Sequence, residues 1–115
     1  MIGYIISGMQ TPAELLTKVS CLWKDHQEAE FPARMRGVEF GQVDMVLLNT
    51  YIAGCVSSWI AGHGTLDAER YKVLGRCLAD LDRVLHLVKD EQGATYYDRL
   101  RMMGRVAYSG RAARP

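Results

Sequence analysis

Residues 45–62 read MVLLNTYIAGCVSSWIAG, eighteen positions without a charge. Met45, Leu48, Ile52, Cys55, Val56 and Trp59 recur at intervals of three and four, which is the spacing of one helix face. Leu47 and Tyr51 widen that face on one side, Val46 and Ile60 on the other. What remains is a narrow stripe of small residues: Thr50, Gly54, Ser57 and Ala61. A helix that is apolar nearly all round must be covered on most sides. This segment is therefore expected to be the central and most buried element of a helical bundle. Asp44 suits its N-cap, Val43 and Leu48 suit a hydrophobic staple, and Gly62 suits its end.

The sequence on either side supplies three partners. Thr11, Pro12 and Glu14 form a capping box with proline at the first helical position. Leu15, Leu16, Val19, Leu22 and Trp23 follow at helical spacing, which predicts a helix over 12–28. After 45–61, the short link at His63 and Gly64 predicts an antiparallel neighbour over 66–89, capped by Thr65. Its seam is Tyr71, Leu74, Leu78, Leu81, Leu85 and Val88, flanked by Val73, Cys77 and Val84, with an Arg76–Asp80 ion pair on its wet face. Gly93 reads as a break. Thr95 and Asp98 then open a fourth helix over 96–108, with Tyr97, Leu100, Met103 and Ala107 as its apolar stripe. The fold expected is an all-α antiparallel four-helix bundle. Its core is expected to hold Leu15, Val19, Leu22, Leu48, Ile52, Cys55, Trp59, Leu74, Leu78, Leu81, Leu85, Leu100 and Met103.

Residues 29–43, AEFPARMRGVEFGQV, interrupt the helical pattern with Pro32, Gly37 and Gly41. A connection this long is expected to carry some structure of its own. A brief extended piece fits 37–42, with Phe31, Val38 and Phe40 packed on the bundle.

With 115 residues, 49% apolar and 23% charged, the chain has the length and composition of one globular domain, and roughly two thirds of its surface can be buried. Residues 1–10 read as an apolar extension without the basic leader or cleavage site of a signal peptide, and Met9 is an alternative natural start. Residues 109–115 read as a frayed basic tail. The uncharged segment nearly has the length of a membrane span. Asn49, Thr50, Ser57 and Ser58 dilute it, and no basic flank accompanies it, so no membrane association is expected. Three cysteines, Cys21, Cys55 and Cys77, lack metal-ligand or disulfide spacing and read as small buried hydrophobes in a reducing, cytoplasmic setting.

Chemistry is sparsely signalled. His26 with Glu30 and Asp82 with His86 have the spacing of helical metal ligands, yet both pairs read better as residues at the solvent edge. Gly62-His63-Gly64-Thr65 lacks the lysine and the preceding strand of a phosphate loop. No catalytic residue, cofactor site or metal site is assigned. The net charge of +1 gives no global pull toward nucleic acid, but the five arginines beyond residue 92 make a local basic region. Arg99, Arg101 and Arg105 are its candidate contacts for an anion or a nucleic acid. The leading expectation is a non-enzymatic interaction or adaptor module, with Thr50, Gly54, Ser57 and Ala61 as a close-packing surface in a homodimer or toward a protein partner.

Overall fold

Helix α1, Pro12–Glu28, starts where the capping box places it: the Thr11 hydroxyl accepts from the Glu14 N–H, and the Glu14 carboxylate accepts from the Thr11 N–H. The computed structural model describes residues 10–109. It is mostly helical, and three further helices follow: α2, Met45–Ala61; α3, Ala68–Val84; α4, Glu91–Ser109. The expected extension, apart from Gln10, and the tail beyond Ser109 lie outside the described residues.

The long connection is structured. Ala33–Met35 form a 3-10 turn, and β1, Glu39–Phe40, pairs antiparallel with β2, Val43–Asp44. Gly41 supplies the positive φ of 67° that this tight hairpin needs. Phe31, Val38 and Phe40 are half-buried against the core, as expected, and Met35 and Val43 are fully buried beneath them. Asp44 then caps α2 by accepting from the Leu47 N–H.

The end of α2 closes in a Schellman turn. The N–H of His63 donates to the carbonyl of Ile60, and that of Gly64 to Trp59. The left-handed residue is His63, with φ of 55°, so Gly62 is not the conformational stop its identity suggested. A Cβ at Gly62 would instead lie 2.8 Å from the Thr65 carbonyl oxygen.

Three helix boundaries differ from the sequence reading. Helix α3 starts later, because Asp67 rather than Thr65 caps it, accepting from Arg70 N–H at 2.8 Å. The Thr65 hydroxyl is committed to the Gly62 carbonyl. Helix α3 also ends earlier, at Val84, and passes into a 3-10 turn over Leu85–Leu87. Asp80 takes Arg83 as its ion-pair partner, at 2.6 Å, in place of Arg76. Helix α4 starts five residues before the expected position, at Glu91. Asp90 accepts from the N–H of Gly93 at 2.8 Å, and its carboxylate lies 2.9 Å from where a Cβ at Gly93 would sit. Gly93 thus lies inside the first turn, packed against its cap, and Thr95 starts nothing.

Helix α2 packs against α1, α3 and α4, and α4 in turn packs against α1 and α3. Val19, Met45, Ile52, Val56, Leu74, Leu81, Tyr97, Leu100 and Met103 are wholly removed from solvent at this junction. The Tyr97 hydroxyl donates to the Met45 carbonyl at 2.7 Å, fastening α4 to the first turn of α2. Three expected core residues, Leu15, Leu22 and Leu85, are only half-buried, at the margins of the cluster. Gly104 is buried where α4 crosses its neighbours: a Cβ there would come within 2.8 Å of Leu78 and 3.2 Å of Ile52. Among the described residues, no helix is long and apolar enough to cross a membrane.

Candidate functional site

On a helical wheel, Val46, Ser57, Thr50, Ala61, Gly54, Leu47, Ser58 and Tyr51 fall side by side on α2. All are exposed except Ser58, which is half-buried. The expectation that Val46, Leu47 and Tyr51 widen the buried face is therefore wrong: they are 37%, 46% and 50% exposed. Helix α2 is not the most buried element either, since α4 buries as large a share of its residues. The small-residue stripe runs down the middle of the open face. Nothing lies within 4 Å of a Cβ placed at Gly54, so among the described residues no neighbour fills the stripe. The Thr50 hydroxyl is turned back onto the Val46 carbonyl, which removes its polar demand from the surface.

Along one edge of this face the α2–α3 junction opens into a groove. A cavity of about 530 Å³ is lined by Val43, Leu47, Leu48, Tyr51, Val73 and Cys77, with Arg76 and Asp80 among its polar lining residues. A second hollow, of about 340 Å³, continues past Tyr51, Gly54 and Cys55 to Glu69 and Arg70. The two buried thiols belong to this lining, and burial pushes Cys77 up to about 11, so it stays a protonated, unreactive thiol at neutral pH. Cys55 is raised for the same reason, and its thiol donates to the Arg70 carbonyl. Cys21, expected to be buried, is exposed, because it lies two positions beyond Val19 and points off the apolar face of α1.

The basic candidates do not act together. Arg101 and Arg105 both reach across to α3, where they donate to the two oxygens of Asp82 at 2.6 and 3.0 Å. The Arg101 hydrogen bond, aided by Arg105, holds the Asp82 carboxyl below its ordinary range. Arg99 turns toward α1 instead, where its Nε–H donates to Nδ1 of His26 at 3.1 Å.

His26 is the largest departure from the sequence reading. Expected at the solvent edge, it is 5% exposed, the one buried polar or charged residue within the described core. Because Nδ1 accepts from Arg99, Nε2 carries the proton and faces the Asn49 carbonyl oxygen at 3.4 Å. The ring lies 4.2 Å from that of Tyr96, which also meets Phe31 edge-on at 5.4 Å. Burial lowers the His26 pKa; the bond to Asn49 opposes that and the Arg99 charge adds to it. The signal for burial was in the spacing: Leu15, Val19, Leu22 and His26 continue one heptad-like stripe.

Both suggested metal pairs are otherwise engaged. The ring nitrogens of His26 are both in use, and Asp82 is occupied by two arginines, while His86 is exposed. Among the described residues, no three His, Cys, Asp or Glu side chains gather into a metal-binding group. Compared with known proteins, the chain matches no family model, no curated protein and no solved structure.

Proposed function

We propose that this chain is a non-enzymatic interaction module that associates with a second copy of itself through the open face of α2. The observation that carries this reading is the combination on one uncharged helix of exposed Val46, Leu47 and Tyr51 with the unfilled stripe Thr50, Gly54, Ser57 and Ala61. A solvent-facing side normally carries charges, which keep a surface soluble. Small residues down the centre let another backbone approach, and large apolar residues along the edges supply the area such a contact buries. Because α2 carries no charge, two copies meeting face to face bring no like charges together, and two-fold pairing is the commonest oligomeric arrangement.

The same reading takes the helices as an antiparallel up-and-down bundle. It is supported by the short links between α2, α3 and α4 and by the packing of each consecutive pair. Free cysteines at Cys21, Cys55 and Cys77 suit the reducing conditions of the cytoplasm. A nucleic-acid role finds less support, since two of its three arginines are engaged by Asp82. Light scattering of the full chain across a concentration series tests the proposal. Wild type is expected to dimerise, and Leu47→Glu/Tyr51→Glu to be a folded monomer. A wild type that stays monomeric at high concentration would contradict it.

A further inference from the structure

We propose that the hollow between the end of α1 and the first turns of α4 binds a small zwitterion, a molecule with a carboxylate and an ammonium, anchored by Arg99. The hollow has a volume of about 420 Å³ and is lined by Ala29, Glu30, Glu91, Gln92, Thr95, Tyr96 and Arg99. It lies on a different part of the molecule from the α2 face and does not depend on the self-association reading.

Three features of Arg99 carry the inference. Its Nε–H is held by the Nδ1 lone pair of a buried histidine, so the guanidinium is fixed by a rigid core group and not by a floating surface acid. Its guanidinium carbon also lies over the Tyr96 ring, 5.7 Å from the centroid, a second contact with a buried group. Finally, Arg99 makes no ion pair among the described residues, whereas Arg101 and Arg105 on the same helix both do. With Nε occupied, the terminal nitrogens remain as paired donors. They match the two oxygens of a carboxylate. The Thr95 hydroxyl and the Gln92 amide, in the same lining, offer further neutral hydrogen bonds.

The charge of the lining selects the rest of the ligand. Glu30 and Glu91 set two carboxylates against one guanidinium. A simple anion would be drawn by Arg99 and repelled by both glutamates, and a phosphate chain more so. A ligand that brings its own ammonium turns those glutamates into partners. An amino acid has this pattern, and the separation between its charges decides which member of the class fits.

The test is an NMR titration of the isotope-labelled full chain at constant ionic strength and neutral pH. The probes are glycine, β-alanine and 4-aminobutyrate, which scan the charge separation, with acetate and methylammonium as single-charge comparisons. At least one amino acid is expected to shift the amides of residues 91–99 saturably, about tenfold more tightly than acetate, with no saturable response to methylammonium. Arg99→Gln is expected to abolish the response. Glu30→Gln/Glu91→Gln, which alters only exposed side chains, is expected to bring acetate up to the affinity of the amino acid. The proposal is overturned if none of the three amino acids saturates the wild type, or if acetate binds the wild type as tightly. It is equally overturned if folded Arg99→Gln responds as wild type does.

Discussion

His26 shows how much one side chain's surroundings decide. Nδ1 accepts from Arg99, so protonating it would replace a hydrogen bond with two cations in contact. Its other neighbours, Asn49 on α2 and Tyr96 on α4, carry no charge at neutral pH to offset that. The folded-state pKa lies below the ordinary 6.5, so the unfolded chain binds more protons as the pH falls. This contribution to stability is fully present above about pH 6.5 and is lost as the pH falls toward the folded value, at up to about 1.4 kcal/mol per pH unit. Asp82 is depressed from 3.8, so its contribution is lost only in a more acidic range. Urea titrations between about pH 7 and 5 are expected to show wild type weakening and His26→Gln nearly flat across that window. Equal slopes for the two proteins would remove His26 as the cause. The burial of this residue was legible in its heptad spacing from Leu15, Val19 and Leu22. Its partners were not, because Asn49 and Arg99 come from elements 23 and 73 residues away and no local pattern records which faces meet.

At the scale of elements, caps and crossing points explain where sequence reading succeeds and where it slips. The boundaries of α1 and α2 match expectation because Thr11 and Asp44 are the only good caps near each start. Before α3 and α4, two candidates compete. Asp67 and Asp90 prevail over Thr65 and Thr95, since a carboxylate satisfies first-turn N–H groups and also favours the positive helix end. Asp90→Ala is therefore expected to cost about 1 kcal/mol in chemical denaturation, and Thr95→Ala less than about 0.5 kcal/mol. The reverse order would restore the later start for α4. Two of the mid-helix glycines, Gly104 and Gly54, separate in the same way. Gly104 reads in sequence as a weak point in α4, yet it is the close-approach site against Leu78 and Ile52. Gly104→Val is expected to destabilise by about 1–3 kcal/mol through overpacking. At Gly54 a Cβ meets nothing among the described residues, so in a monomeric sample Gly54→Ala is expected to stabilise by about 0.5–1 kcal/mol through helix propensity. Calorimetry of both variants checks the pair, and a stabilising Gly104→Val or a destabilising Gly54→Ala would reverse these assignments.

For the whole molecule, the class of fold was legible because three amphipathic stripes and one uncharged segment leave few alternatives to helices packed on a shared core. The mistake lay in assigning Val46, Leu47 and Tyr51 to the buried face because the helix that carries them has no charge. Hydrophobicity records that water is unwelcome at a surface, and it does not say whether the same chain or another copy provides the cover. Helix α2 turns Met45, Leu48, Ile52, Cys55, Val56 and Trp59 into the core and leaves Val46, Leu47 and Tyr51 outside it. Self-association through that outer face is the central claim, and site-specific crosslinking tests it most directly. In a Cys21→Ser background, which removes the exposed native thiol, cysteine is placed singly at Gly54 on the stripe or at exposed Thr17 on α1. A two-fold contact along the stripe predicts that a short bis-maleimide links the Gly54→Cys chains into covalent dimers at low concentration and leaves Thr17→Cys monomeric. Equal, background-level crosslinking at the two positions would contradict it.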